Sequence, residues 1–506
     1  MSRLLDYFLD RITMYRLVLY VLIGLIVMAA ILAYFHLLAF SPLALLLSTA
    51  FLVVMCWAAN TLLASILDVP TSVESVYITA LILALIIDPA KSLNDLQFPG
   101  WAAILAMSSK YVLSIYNKHI FNPAAIAVVI TAFALGDTAS WWVGTASMLP
   151  AVLVGGYLVV RKLRQEEMVA IFLVTSFVAI IVVSLVQGLS LVKELQLLLL
   201  ETPLFFFASI MFTEPLTVPP RQKLKDIYAI IVGVLFVPQI HVGPVYSTPE
   251  LALVIGNLYS YIVSPKRKVA LKLRRKSKIA TNIVDFVFKP SHRLAFEPGQ
   301  YMEFTLAHPH PDSRGNRRYF TLASSPTEEN LRLGVRFYPE GSSFKQALSR
   351  LDSHTPLFAG QLAGDFTLPK DPAQKLVFIA GGIGITPFRS MLKYLVDMNE
   401  ARDIIVFYAN RTADEFAYKD VLNQAQQLPG IRVYYTLTDA QAVPRNWNGL
   451  TGRINASVIR KLVPDYEERT FYLSGPPEMV RASERMLKNL QIEPNQIKKD
   501  FFPGLV

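Results

Sequence analysis

The stretch KLVFIAGGIGITPFRSML (375–392) is an apolar run of strand length that enters three glycines and then opens a helix at Thr386-Pro387. It shows no alternation of polar and apolar residues, so it reads as a strand buried on both faces, as in a parallel sheet covered by helices. Small residues at the strand-to-helix turn let a backbone approach a pyrophosphate, and the helix N-terminus favours its charge. Gly381, Gly382, Gly384, Thr386 and Pro387 are therefore candidate binding residues. A tight strand–helix turn without a ligand is the competing reading. Further buried strands follow at DIIVFYANR (403–411), RVYYTLTD (432–439) and TFYLSGPP (470–477), with helical stretches between them. That pattern gives a doubly wound α/β domain over 373–506.

Upstream, the period shortens. IVDFVF (283–288), GQYMEFTL (299–306), RRYFTLAS (317–324) and LRLGVRFY (331–338) are short strands at close spacing, which suggests a small antiparallel β-barrel over 265–372. GSSFKQAL (341–348) is a glycine and two hydroxyls at a helix start. On its own it is a capped helix, and its donors also suit phosphate. GDFTLP (364–369) reads as structural. Lys266 to Lys278 is a basic linker to whatever precedes.

A barrel followed by such a sheet resembles the ferredoxin–NADP reductase superfamily, over about 268–506 in the expected order. The resemblance implies an FAD domain and a domain for NADH or NADPH. It places Arg318 on the FAD pyrophosphate, where a guanidinium can pair bidentately. Phe320 falls at the aromatic packing on the isoalloxazine, with Tyr319 in that role if the register shifts, and Thr321 falls near flavin N5. Arg336 joins the implied cofactor-binding residues. Gly341, Ser342 and Ser343 would hold FAD phosphates, and the glycine loop would hold the nicotinamide dinucleotide. NRTADEF (410–416) would meet the adenosine ribose. Arg411 and Asp414 are both present there, and the balance leans to NADH. Ser474, Gly475 and Pro476 match a C-G-P-P element with Ser for Cys beside nicotinamide C4, and hydride transfer needs no thiol. Phe501 and Phe502 would shield the second flavin face, against a rival reading as a terminal apolar strand.

The other half is of different composition. Of the 506 residues, 53% are hydrophobic and 17% charged, and the mean hydropathy is +0.41. A soluble chain carries about 25% charged residues, so residues 1–264 are expected to form a membrane domain. About ten apolar segments lie near 16–38, 40–60, 74–88, 98–114, 121–136, 142–160, 168–188, 197–213, 226–242 and 249–264, and each is near the length a bilayer asks of a helix. With ten spans, Arg3, Arg11, Arg16, Lys110, Lys118, Arg161, Lys162, Arg164, Arg221, Lys223, Lys225 and Lys266–Lys268 fall on one side. Lys91 and Lys193 fall on the other. The asymmetry puts both termini in the cytoplasm of a multi-pass inner (plasma) membrane protein. It also explains the net charge of +10 without nucleic acid. No cleavable signal peptide is evident, since the first apolar run is too long for a signal core.

The lone Cys56 excludes an intramolecular disulfide and a four-cysteine iron–sulfur cluster. His36, His119 and His241 cannot make two stacked haem pairs. No metal site is expected.

KYVLSIYNKHIFNPAA (110–125), SVYITALILALIIDP (75–89) and MFTEPLTVPP (211–220) look like the membrane subunits B of the sodium-pumping NADH:quinone reductase and D of the Rnf complex, over most of residues 15–264. Those subunits hold flavin within the membrane, which makes Asn122, Pro123, Thr213 and Glu214 candidate cofactor residues. Helix ends with stop signals and interfacial charges are the rival reading. The family's S-G-A-T attachment site for covalent FMN is absent: GDTAS (136–140) and GTAS (144–147) do not fit. A non-covalent FMN or riboflavin, or no membrane flavin, stays open.

Together the halves suggest a membrane oxidoreductase that passes electrons from NAD(P)H through FAD to a quinone, or across the lipid bilayer through a second flavin. A redox-driven Na+/H+ transporter component and a plainly anchored NAD(P)H:acceptor reductase are the alternatives. The assembly would be a homo-oligomer or include further redox subunits.

Overall fold

The computed structural model describes residues 9, 12–67, 73–115, 118–264, 268–309, 311–312, 315–339 and 341–500. The chain divides into two compact units, residues 1–267 and residues 268–502.

The first unit is helical. Each apolar run forms a helix: α1 (Met14–Tyr34), α2 (Pro42–Leu67), α3 (Val73–Ile86), α4 (Gln97–Val112), α5 (Pro123–Leu135), α6 (Leu149–Leu163), α7 (Glu166–Gln187), α8 (Leu191–Leu200), α9 (Leu204–Phe206), α10 (Gln222–Leu235) and α11 (Pro249–Val263). A π-helical turn, Phe207–Met211, continues α9.

The expected count of about ten spans is corrected by the helix lengths. Among the described residues, α1, α2 and α7 are the three helices long and apolar enough to cross a membrane. A fourth joins them if α8 and Leu204–Met211, bent by 54°, form one broken span. A hydrocarbon core of about 30 Å needs roughly 20 residues at about 1.5 Å each. By contrast, α3, α5 and α11 have 14, 13 and 15 residues. Their sequences say why. α3 stops just before Asp88-Pro89, α5 and α11 start on proline, and α5 ends on Gly136 at a φ of 79°.

Small residues let these helices approach closely. A Cβ on Gly256 would sit 2.3 Å from Val232, and one on Gly156 would sit 2.4 Å from the Ser209 hydroxyl. Around this contact the rings of Phe172, Phe207, Phe212, Phe236 and Tyr228 pack together, with Phe212 stacked on Tyr228 at 4.9 Å.

The second unit holds two sheets. The first is built from β1 (Val269–Ala280), β2 (Ile283–Pro290), β3 (Tyr301–Thr305), β4 (Arg317–Thr321) and β5 (Leu331–Arg336), then helix α12 (Ser343–Arg350) and β6 (Leu357–Ala363). The order is β4-β3-β6-β1-β2-β5, and every pairing is antiparallel. The expected closed barrel is corrected to a six-stranded sheet whose edges, β4 and β5, do not form a ladder. Just beyond β4, Ala323 N–H donates to Arg332 O at 2.9 Å. The SSPTEEN stretch (324–330) turns away instead of extending β4, because Ser325 accepts bonds within its own turn and proline follows it. Phe286, Phe288, Phe304, Leu333 and Leu348 fill the concave face.

The second sheet comprises β7 (Leu376–Gly381), helix α13 (Thr386–Met398), β8 (Ile404–Asn410), α14 (Lys419–Ala425), β9 (Ile431–Leu437), β10 (Leu450–Thr451), α15 (Ala456–Leu462), β11 (Thr470–Ser474), α16 (Pro477–Asn489) and β12 (Ile497–Lys499). All its strands are parallel, in the order β10-β9-β8-β7-β11-β12. Every residue of β7, β8 and β11 is buried. The chain steps outward from β7 to β10, then returns to the other side of β7 at β11. That reversal makes the carboxyl ends of β7 and β11 the crevice where an open α/β sheet takes ligands.

Ion pairs bind the two sheets to each other. The Arg389 guanidinium on α13, almost fully buried, forks onto Glu328 and also donates to Ala323 O. Asp285 on β2 accepts from Arg332 at 2.6 Å and from Tyr418 Oη at 2.8 Å.

Candidate active site

The glycine loop leaves β7 as a short 3-10 turn, Gly382–Ile385, and α13 begins at Thr386 with Pro387 in its first turn. Gly382 has a φ of 55°, a backbone state that disfavours residues with a Cβ. Gly384 faces the loop after β11, and a Cβ there would sit 2.5 Å from the Ser474 carbonyl. The two strand ends at the switch point are thus in backbone contact. The Thr386 hydroxyl is used locally, donating to Ile383 O at 3.1 Å. Pro476 caps α16 after Gly475.

Sheet one meets this loop through β5. A Cβ on Gly334 would sit 2.6 Å from Tyr418 Oη and 2.9 Å from Thr386. Arg336, at the end of β5, pairs with Glu415 at 2.7 Å, and its Nη1 would be 2.9 Å from a Cβ on Gly382. A guanidinium is therefore held at the mouth of the loop.

On β4, residues alternate faces. Arg318 and Phe320 share one side. Phe320 packs between Phe304 and Phe344, at 5.8 and 5.9 Å between ring centres, and stays partly exposed. Tyr319 and Thr321 share the other side. There Tyr319 meets Tyr301 edge-on and donates to Gln361 at 3.2 Å, while Thr321 is paired across the ladder with Tyr301.

Ser474 closes the site. Its hydroxyl donates to Asp500 Oδ2 at 2.9 Å. Burial pushes the Asp500 carboxyl up to about 7, against the pull of that hydrogen bond, so it is half-neutral at physiological pH. Burial likewise raises the Tyr301 hydroxyl, with Asp500 and Asp365 adding to the effect. Phe501 and Phe502 lie outside the described residues.

The phosphate candidates form a separate cradle. Ser342 caps α12 by accepting from Lys345 N–H at 3.3 Å, and the Gly341 carbonyl accepts from Gln346 at 3.1 Å. The Ser343 N–H and the Arg318 guanidinium converge on one anion, the carboxylate of Asp312, at 3.1 and 2.9 Å. The Arg318 guanidinium also lies 5.4 Å from the Phe344 ring centre. A site that already holds an anion with a guanidinium nitrogen and a helix N-terminal amide has donors that suit a diphosphate, and so fits FAD.

In the region read for the adenosine ribose, Asp414 is already engaged. Its carboxylate accepts from the Thr281 and Thr412 hydroxyls, which hold it below the usual carboxylate range. Arg411 projects outward, its side chain 77% exposed and 3.9 Å from Asp439.

In the helical unit, Asn122 caps α5, its Oδ1 accepting from Ala124 N–H and Ala125 N–H, with Pro123 in the first turn. Its Nδ2 donates to Glu214 at 3.0 Å, and its N–H donates to Asn257 at 2.8 Å. His119 lies 3.5 Å from the same carboxylate. Thr213 turns its hydroxyl back onto Ser209 O at 2.7 Å. FNPA and TEP, ninety residues apart in sequence, thus meet in one polar cluster. Among the described residues no group of three or more His, Cys, Asp or Glu side chains could hold a metal ion.

Tyr301, Gly334, Asp312 and Asp500 were not legible in the sequence. Tyr301, within GQYMEFTL, offers only the alternation of its strand. Asp500 immediately precedes the terminal aromatics Phe501 and Phe502, and a carboxylate in the otherwise basic KKD would have been the sole hint.

Residues 378–485 match the model of the oxidoreductase NAD-binding domain. The C-terminal unit is an FAD- and NAD(P)H-dependent oxidoreductase module of the ferredoxin–NADP reductase type. Similar curated proteins include the glycine betaine monooxygenase reductase subunit of Chromohalobacter salexigens, 26% identical over 38% of this chain and 52% of that protein. The stachydrine N-demethylase reductase subunit Stc4 of Rhizobium meliloti is 27% identical over 44% of this chain and 63% of its own. The flavohemoprotein of Oceanobacillus iheyensis is 27% identical over 46% and 59%. The chain therefore spans little more than half the length of these relatives. Among solved structures, the cytochrome P450 reductase GcoB of Amycolatopsis aligns over 47% of this chain and 70% of that one, at 25% identity and a TM-score of 0.42.

Proposed function

We propose that the chain is a membrane-bound NAD(P)H dehydrogenase. The observation that carries this reading is the meeting of Gly384, Ser474 and Asp500 at the sheet's switch point, with the Tyr301–Thr321 pair of sheet one beside them. When bound, FAD takes up two electrons as hydride from the nicotinamide and can release them one at a time.

The protein's part is to bind and align. Arg318 and the start of α12 would hold the FAD diphosphate, and Phe320, on the face Arg318 shares, would offer its partly exposed ring to the flavin. The loop Gly381–Gly384, the N-terminus of α13 and Arg336 hold the dinucleotide's diphosphate. Ser474 and Thr321 border the space where hydride donor and acceptor meet. Asp500, its carboxyl raised to about 7 by burial, lends that space a group that holds a proton on about half the molecules near neutral pH. Arg411 and Asp439 border the adenosine ribose, and the engaged Asp414 leaves discrimination between NADH and NADPH to that pair.

Electrons leave to a quinone, or through the helical unit to an acceptor beyond it. The long apolar helices support a bilayer location, and a reductase unit in the cytoplasm belongs to the same proposal, since that is where NADH and NADPH are found. A non-covalent flavin at the Asn122–Glu214 cluster is part of the same reading, as are further subunits or copies receiving the electrons.

The test is a flavin inventory of the purified full chain, followed by anaerobic mixing with NADH and with NADPH while flavin absorbance is followed. One FAD per chain bleached by a reduced nicotinamide is expected. A chain without FAD, or FAD that no nicotinamide reduces, sinks the reading.

A further inference from the structure

We infer that Asp312 is a built-in competitor for FAD: its carboxylate occupies the cofactor's diphosphate cradle and makes the cofactor exchangeable. The inference rests on the reading of Arg318 and Ser343 as FAD phosphate ligands, and goes beyond it.

The geometry is that of an anion in a phosphate site. One carboxylate oxygen of Asp312 accepts from Arg318 Nη2 at 2.9 Å, and the other lies 3.3 Å from the same nitrogen and accepts from the Ser343 backbone N–H at 3.1 Å. These are a single guanidinium nitrogen shared by both carboxylate oxygens and a helix N-terminal amide, two donor types that recognise phosphate oxygens, while Arg318 Nη1 donates to Gly315 O at 3.1 Å and Arg317 O at 2.6 Å. The contact is returned: Asp312 N–H donates to the Ser343 hydroxyl at 2.8 Å, and that hydroxyl also lies 3.0 Å from His308 Nε2. His308 and Asp312 belong to the connection between β3 and β4, so one surface segment supplies both groups that meet Ser343. The Arg318 side chain is 11% exposed, against 25% for Asp312. The cation is fixed by its surroundings, and the carboxylate is the more solvent-accessible partner.

Donor sites cannot serve two anions at once. A diphosphate that takes Arg318 and Ser343 N–H must displace the Asp312 carboxylate or lie against its charge, and either lowers FAD affinity. A carboxylate that merely aimed Arg318 would act oppositely, since its loss would loosen the guanidinium and weaken FAD binding. The two roles predict opposite signs.

The experiment uses the full chain in detergent, stripped of flavin and titrated with FAD, with release of bound FAD measured separately. Asp312→Asn keeps the shape and removes the charge, Asp312→Ala removes both, Asp312→Glu restores the charge, and Arg318→Ala is the control. Asp312→Asn and Asp312→Ala are expected to bind FAD about tenfold more tightly, about 1.4 kcal/mol, with most of the change in a slower release. Asp312→Glu is expected to behave as the unaltered chain. Equal or weaker FAD binding by both charge-removing variants overturns the inference, provided their circular dichroism matches the parent. If Arg318→Ala binds FAD as well as the parent, the underlying assignment of the cradle fails, a result distinct from the first.

Discussion

The helical unit and the reductase unit both bring backbones together through glycine, but the contacts serve different ends. In the helical unit, Gly156 and Gly256 let helices close on one another, and a Cβ would strike a neighbouring side chain. In the reductase unit, Gly384 lets two strand-end loops touch where a ligand is expected, and a Cβ would strike the Ser474 backbone. Side chains can shift and backbone at a sheet end cannot, so the second kind of glycine is the less replaceable. The polar groups differ as well. The helical unit gathers Asn122, Glu214, His119 and Asn257 into one cluster, while the reductase unit spreads ion pairs between its sheets.

The largest effect should come from breaking the most buried of those pairs. Arg389→Met leaves Glu328 with Arg332, 3.2 Å away, as its remaining cation and is expected to cost about 3 kcal/mol, the low end for a broken buried pair, read as an earlier thermal transition of the reductase unit with early release of FAD. Replacing Glu214 with Gln in the helical unit should leave that transition where it is. If both substitutions shift it alike, the contrast between the units is wrong.

A pH dependence belongs to the reductase unit next. The Asp500 carboxyl is raised from 3.8 to about 7, so the folded state holds a proton that the unfolded chain has lost. The stabilisation is complete below about 3.8 and fades as pH rises through about 7. Asp500→Asn should flatten this part of the stability profile, and an unchanged profile would refute the assignment.

Removing the Arg318 guanidinium should weaken FAD binding by roughly 10- to 100-fold, as loss of a charged hydrogen-bond partner of about 1.5–3 kcal/mol implies. Gly384→Ala should slow reduction of bound FAD by NAD(P)H about tenfold, while dithionite still reduces it at the parent rate, since overpacking of about 1–3 kcal/mol falls on the nicotinamide side alone. The smallest effect is Asn122→Ala, which removes the α5 cap at about 1 kcal/mol. It should lower the helical unit's stability and leave hydride uptake by the reductase unit unchanged.

Much of the fold was legible because the two periodicities are strong. Uniformly apolar strands such as VFIA (377–380) announced the parallel sheet, and each apolar run in the first half became a helix. The span count failed because hydropathy registers apolar length without the prolines and glycines that cut α3, α5 and α11. The barrel failed to close because Ser325 and its neighbours bond within their own turn, a local competition that alternation does not reveal. Within the site, the glycines, Arg318, Arg336 and Ser474 were named from sequence. Asp414, which the sequence offers to the ribose, is engaged by Thr281, 133 residues away.

By itself the sequence determined that an apolar helical half precedes a two-sheet half, and which loop ends the central strand, because burial patterns and glycines act locally along the chain. Only the tertiary structure decided that Asp500 meets Ser474, that Asp312 occupies the grip of Arg318, and that Asn122 meets Glu214. Those pairings depend on where distant segments come to rest, and the charge a buried group carries depends on the neighbours it finds there.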